Sequence, residues 1–134
     1  MPESPITDSG TGIITKSSPE NAADTVAKLI DLVEARGMTV FSVVDHSGEA
    51  ARQGLALRDT KLVIFGSPTA GTPVMQASPL TALDLPLKVL IWDNDGQTQV
   101  SFTSPDVLAA RHHLSEELAS RLARIGPLTD ALIS

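Results

Sequence analysis

An aspartate and a histidine stand side by side at Asp45 and His46, after a stretch rich in valine and phenylalanine. An imidazole titrates near neutral pH, so His46 could transfer a proton while the Asp45 carboxylate holds one tautomer of the ring. Successive residues of a strand point to opposite faces, however, and a histidine at this place can simply bind loop backbone. A ligand-binding or catalytic role and a structural role are therefore both left open.

A second polar segment runs from Gly66 to Pro73 and follows a continuous apolar run. Exposed N–H groups at the start of a helix bind anions, and Ser67 and Thr72 add hydroxyl groups. The segment lacks the Gly-Lys-Ser/Thr sequence of a phosphate-binding loop, and its two prolines have no N–H to donate. It predicts either an anion-binding loop or a rigid turn that caps its own helix.

Together the two segments predict one site, because binding groups in α/β architectures gather outside the carboxyl ends of strands. The expected ligand-binding residues come from both segments and from the helix after them: His46, Gly66, Ser67, Gly71, Thr72 and Gln76. If the chain is an enzyme, we expect His46 to transfer the proton, with Asp45 or Glu49 assisting.

The remaining residue types narrow the chemistry. Cysteine is absent, which excludes disulfides, thiol catalysis and thiolate metal sites, and the lack of tyrosine excludes a phenolic acid or base. His112 and His113 are the other histidines, and neither joins His46 in a metal-binding spacing. We therefore expect no metal and no cofactor.

The bulk composition points to a globular domain. The net charge of −6 disfavours nucleic acid and anionic lipid as partners, because such binding depends on lysine and arginine. No apolar run of about 18 residues and no signal peptide is visible, so we expect a cytoplasmic location and no membrane. The 134 residues suit one α+β domain over residues 13–134, preceded by a flexible lead-in over residues 1–12.

Periodicity and breakers predict the elements that position these residues. Apolar residues recur at helical spacing from Ala22 to Val33, with Ser17 or Ser18 as the expected cap. Gly37 is the expected stop of that helix. Four to five strands are expected, the clearest at Met38–Asp45, Lys61–Phe65, Leu87–Trp92 and Gln97–Thr103.

The order of elements predicts how the strands pair. A strand, a helix and a strand in succession predict a right-handed parallel crossover, and the apolar run Lys61–Phe65 predicts a central strand covered on both faces. Asn94-Asp95-Gly96 predicts a hairpin. The expected fold class is α+β, a two-layer mixed β-sheet with helices mainly on one face.

The stretch KLVIFGSPTAGTPVMQASPLTALDLPLKVLIW, residues 61–92, resembles the bacterial and archaeal domain-of-unknown-function family 302. Upstream, SSPENAADTVAKLIDLVEARGMTVFSVVDHSGEA looks like that family's first helix, second strand and Asp-His loop. Downstream, DNDGQTQVSFTSPDVLAARHHL looks like its hairpin and closing helix. The resemblance implies a two-layer α+β fold that commonly forms homodimers, and it implies no established reaction.

Taken together, these features favour a homodimeric domain that binds or senses a small molecule or anion. One alternative is an enzyme that uses His46. Another is a structural or protein-interaction module without a small ligand. The strands Met38–Val44 and Leu87–Trp92 carry apolar residues at both odd and even positions, and hence on both faces of the sheet. Such strands are typical of a sheet whose second face a partner covers.

Overall fold

The computed structural model of this protein describes residues 5–8 and 10–134. In that part of the chain the strands are β1 (Ile6–Asp8), β2 (Ile13–Ser18), β3 (Thr39–Asp45), β4 (Thr60–Gly66), β5 (Leu87–Asn94) and β6 (Gln97–Thr103). The helices are α1 (Ala22–Ala35), α2 (His46–Arg52), α3 (Pro68–Ala77), α4 (Pro105–Arg111), α5 (Glu116–Leu122) and α6 (Ile125–Ile133), and a 3-10 helix covers Pro79–Leu83. None of these helices is long and apolar enough to cross a bilayer.

The strands form a single antiparallel sheet in the order β1-β2-β6-β5-β4-β3. The α+β class is confirmed, but the expectations of four to five strands and of a mixed sheet are wrong. The helix α1 joins β2 to β3 across three intervening strands, so the predicted parallel crossover pair does not form. Of the predicted lead-in, residues 1–4 and 9 lie outside the described residues, and Ile6–Asp8 forms the extra strand β1.

The hydrophobic core lies on one face of this sheet. Core side chains of β4, β5 and β6 contact those of α1, α5 and α6; the strand residues are Val63, Phe65, Val89, Ile91, Val100 and Phe102. The alternate residues of β4 and β5 point to the opposite face of the sheet and are only half-buried; they include Leu62, Ile64, Leu90 and Trp92. The strand β4 therefore alternates and lies next to the edge strand β3, and the prediction that it is central and covered on both faces is wrong.

Capping and turn residues predicted some ends of helices and strands correctly and others wrongly. The cap of α1 is Asn21, whose Oδ1 accepts a 2.8 Å hydrogen bond from Asp24 N–H, and not Ser17 or Ser18, which pair with β6 in the sheet. Gly37, with φ 74°, lies just past the end of α1, as expected of a stop. The hairpin β5–β6 is confirmed. Asp95 and Gly96 both adopt positive φ there, as tight hairpin turns require.

A buried lysine connects the sheet to the last helix. Lys16 of β2 has a side chain that is 5% exposed, and its ammonium donates to Gly126 O, Thr129 Oγ1 and Asp130 Oδ1 at 3.2, 2.6 and 2.8 Å. The same ammonium lies 5.2 Å from the centre of the Phe102 ring. All three N–H donors of the ammonium are thus used, as a buried cation requires.

Candidate functional site

The two polar segments expected to share a site lie apart. Strands β3 and β4 are antiparallel, with Thr39 opposite Gly66 and Asp45 opposite Lys61. His46 therefore begins α2 at one end of this ladder, and the loop into α3 leaves from the other end, about 20 Å along the strands. The prediction that the two segments form one site is wrong, because the carboxyl ends of two antiparallel neighbours lie at opposite ends of the strands.

The carboxylates expected to assist His46 have other partners. Asp45 caps α2, where its Oδ1 accepts from Gly48 N–H at 2.9 Å and from the Ser47 hydroxyl at 3.0 Å. The hydrogen bond from Gly48 N–H, followed by that from Ser47, lowers the pKa of Asp45 below its ordinary value. Glu49 forms an ion pair within α2. The exposed His46 thus has no orienting carboxylate among the described residues.

The start of α3 caps itself. Ser67 is the N-cap, and Ala70 N–H donates to its Oγ at 3.4 Å. Gly71 N–H donates to the Ser67 carbonyl at 2.8 Å, and the hydroxyls of Ser67 and Thr69 lie 2.9 Å apart. These bonds engage the amides of Ala70 and Gly71, and Pro68 has no N–H, so the start of α3 offers an anion few free backbone donors.

An apolar cleft opens at the carboxyl end of β4, between Phe41 of β3, the helices α3 and α5, and the Leu85–Pro86 segment. Its volume is about 130 Å³. The lining residues are mostly apolar or small: Met38, Phe41, Gly66, Ser67, Pro68, Ala70, Gly71, Met75, Leu85, Pro86, Leu87, Arg121, Leu122 and Arg124. An apolar cavity of about 150 Å³ holds benzene, so this cleft suits a group of about that size.

The cleft receives only some of the residues expected to bind a ligand. Gly66, Ser67 and Gly71 line it, because all three lie at the carboxyl end of β4 or in the first turn of α3. Thr72 and Gln76 are exposed on α3 and do not line it. Their binding roles remain predictions that this geometry does not support.

Two arginines that the sequence analysis did not identify lie at the cleft. The Nε of Arg121 is buried and has no hydrogen-bond partner among the described residues, while its Nη2 lies 3.8 Å from Glu117 Oε1. Leaving a buried donor unpaired costs about 1–3 kcal/mol. Arg124 also lines the cleft and forms no ion pair within residues 5–8 and 10–134. The cleft therefore combines an apolar lining with two guanidinium groups, which attract an anion.

An aspartate–histidine pair exists, but not where the sequence suggested it. His112 Nε2 lies 2.6 Å from Asp84 Oδ2, and Arg111 Nη1 donates to both oxygens of the same carboxylate at 3.1 Å. The hydrogen bond from His112 lowers the pKa of Asp84, and Arg111 adds to that effect against the opposing effect of burial. His113, the neighbour, is exposed. No three histidine, aspartate or glutamate side chains of the described segments gather into a metal-binding group.

No sequence pattern identified Arg121, or the pair of Asp84 and His112, as part of a site. Arg121 belongs to a short helix of polar composition, and Asp84 and His112 lie 28 positions apart, so no local spacing links them. Leu85-Pro86 lies within the stretch, residues 61–92, that carries the family resemblance. It follows Asp84 directly and supplies part of the cleft wall.

Part of this chain is similar in sequence to proteins of Brucella. Over 104 residues the chain is 39% identical to the fluoride-specific ion channel FluC 1 of Brucella suis biovar 1 (strain 1330), a match over 77% of this chain and 41% of that protein. FluC 1 of Brucella abortus biovar 1 (strain 9-941) is also 39% identical over 104 residues, which is 38% of its length. The chain thus spans about two fifths of the length of these curated relatives.

A solved structure shares the whole fold. It is the crystal structure of an uncharacterized conserved DUF302 protein from Bacillus stearothermophilus, with a TM-score of 0.77 and 17% identity over 91% of this chain and 95% of that one. The family model of the domain of unknown function DUF302 matches residues 14–132, from β2 to the last turn of α6. With nearly every described element inside that match, the chain belongs to the DUF302 family.

Proposed function

We propose that this chain is a binding domain for a small amphipathic carboxylate. The apolar part of the ligand, about the size of a phenyl ring, enters the cleft beside Gly71, Leu85 and Leu122, and the carboxylate meets Arg121. The observation that carries this proposal is that two guanidinium groups, those of Arg121 and Arg124, belong to the lining of an otherwise apolar cleft. A cation next to apolar surface selects a ligand that has both an anionic and an apolar end.

Charge supports an anion at this place although the chain is acidic overall. The net charge is −6, yet the two charged residues that line the cleft, Arg121 and Arg124, are both basic. Glu117 is the nearby counter-charge, but it is 83% exposed and lies 3.8 Å from Arg121, so water screens the pair. A carboxylate bound directly to the guanidinium replaces that weak contact with charge-assisted hydrogen bonds.

The test is a titration with phenylacetate and its neutral counterpart 2-phenylethanol, followed by NMR chemical shifts of the cleft residues. We expect phenylacetate to bind and 2-phenylethanol to bind at least tenfold more weakly, since a hydrogen bond to a charged group contributes about 1.5–3 kcal/mol. Arg121→Met removes the cation and keeps the aliphatic stem, so the preference for the carboxylate should disappear. Arg52→Met is the matched control, because Arg52 also pairs with a glutamate of its own helix but lies on α2.

A second variant tests the cleft itself. A side chain added at Gly71 would point toward Leu85 Cδ1 and Met75 Cε, each 3.9 Å from the position of a Cβ. Gly71→Leu should therefore fill the cleft and abolish phenylacetate binding, while the folded state is retained. Undiminished binding in Gly71→Leu, or equal binding of acid and alcohol to the wild type, contradicts the proposal.

We also propose that two copies associate through the face of the sheet that carries Leu62, Ile64, Leu90 and Trp92. Leu62 lies opposite Leu90 in neighbouring strands, and all four side chains are half-buried within one chain. Light scattering of the wild type should give a dimer at micromolar concentration, and Leu90→Lys should give a monomer. Leu83→Lys is the control, because Leu83 is 80% exposed but lies on the 3-10 helix outside the sheet. A monomeric wild type contradicts this part of the proposal.

A second candidate function follows from the Brucella relatives, whose name is that of a fluoride channel. The 104 matched residues account for about two fifths of those proteins, so the matched part corresponds to a domain attached to further chain. In this candidate function the domain binds the channel part of such a protein. Surface plasmon resonance against the unmatched part of the Brucella suis protein in nanodiscs tests it; binding no stronger than to empty nanodiscs rejects it.

A further inference from the structure

A segment from Ser78 to Leu87 forms one wall of the apolar cleft and is attached to the C-terminal end of α4. Leu85, Pro86 and Leu87 of this segment line the cleft. At its start, the Ser78 hydroxyl donates to the His112 carbonyl at 3.5 Å. Just before the cleft residues, the Asp84 carboxylate accepts from His112 Nε2 at 2.6 Å. The segment is thus held at two points by a single residue, His112, which directly follows α4.

The attachment at Asp84 is the stronger of the two. Arg111 donates to both carboxylate oxygens, so three charge-assisted or short hydrogen bonds converge on one side chain. The Asp84 side chain is 24% exposed and that of His112 is 9% exposed, so the contact is partly shielded from water. A partly buried carboxylate with two donors holds its position more firmly than an exposed ion pair does.

We propose that Asp84 and His112, with Arg111, are specificity-determining positioning residues of the cleft: they fix the Leu85–Pro86 wall and so set which apolar groups fit. This inference rests on the proposed function, because it concerns the same ligand. The carboxylate end of the proposed ligand meets Arg121, which belongs to α5 and not to this segment. Loss of the attachment should therefore weaken contact with the apolar end of the ligand and leave the anionic end unchanged.

The test compares two acids with the same head group, phenylacetate and propionate, by NMR titration. Each fully buried methylene contributes about fourfold to affinity, so the wild type should prefer phenylacetate clearly. In Asp84→Asn and in His112→Phe we expect that preference to fall at least fivefold, while propionate affinity stays within twofold. Because the two residues act through one contact, the double variant should lose no more preference than either single variant. Asp106→Asn, an exposed change at the start of α4, is the control and should keep the preference.

The possible outcomes distinguish a failure of this inference from a failure of the proposed function on which it rests. If the wild type binds neither acid, the proposed function fails and this inference fails with it. If the wild type binds both acids through Arg121, and Asp84→Asn and His112→Phe melt at lower temperature but keep the wild-type preference, the attachment is only structural and this inference alone is overturned. Arg111→Met offers a milder change should either variant fail to fold, and it must lower the preference in the same direction.

Discussion

Replacing Lys16 should destabilise the fold less than replacing one of its acceptors. Lys16→Met removes three hydrogen bonds of the buried ammonium, but Met retains much of the stem that packs in the core. The acceptors left behind remain satisfied, because the Thr129 hydroxyl still donates to Gly126 O at 3.0 Å and Asp130 is 68% exposed to water. We expect a loss of about 1–2 kcal/mol in the free energy of unfolding.

Thr129→Val keeps the shape of the acceptor and leaves the cation in place. The ammonium of Lys16, only 5% exposed, then loses its shortest bond, at 2.6 Å, and no water readily replaces it. A buried charge that loses a partner is the costlier defect, so we expect a loss of about 3 kcal/mol. For a chain of this length, 1 kcal/mol corresponds to a shift of about 4 °C in Tm.

The assay is urea unfolding followed by circular dichroism and by fluorescence of Trp92, the single tryptophan. Lys28→Met is the matched control, because Lys28 makes one exposed bond, to Ser134 O at 3.1 Å, and should change stability by less than about 0.5 kcal/mol. A larger loss in Lys16→Met than in Thr129→Val would refute the reasoning. It would mean that the ion pair itself, and not the penalty of an unsatisfied cation, dominates this junction.

Three further outcomes follow from the same contacts. Glu117→Gln removes the counter-charge of Arg121, and we expect about two- to threefold tighter phenylacetate binding by NMR titration. The hydrogen bond from His112 lowers the pKa of Asp84, so the stability that this carboxylate contributes is present above its unfolded pKa of about 4 and is lost as the pH falls through the lower folded value. Thermal melts between about pH 5 and pH 2 should accordingly fall more steeply for the wild type than for Asp84→Asn. Gly12→Ala should cost about 1–3 kcal/mol in urea unfolding, because φ is +73° and the added Cβ would lie 2.7 Å from Val107 Cγ2; an unchanged midpoint would contradict both the backbone strain and the steric clash.

Local sequence signals explain which elements were predictable. The end of the first helix at Gly37 and the hairpin turn at Asp95-Gly96 were both predicted correctly. Glycine, and aspartate before glycine, favour positive φ, and this local preference does not depend on distant residues. Family membership was also recognisable, since the quoted stretches span most of the chain. Ser17 and Ser18 show the limit of such signals, because pairing with β6 outweighed their preference for capping a helix.

The sequence by itself determined the α+β class, the elements with strong local breakers and the three small or polar residues of the cleft: Gly66, Ser67 and Gly71. Only the tertiary structure decided the strand order, which sends His46 to one end of the β3–β4 ladder and the loop into α3 to the other. It also decided that Asp84 meets His112 and that Arg121 reaches the cleft. The physical reason is that helical period and turn type depend on neighbours within a few residues, whereas strand order and side-chain clusters depend on burial of surface between distant segments.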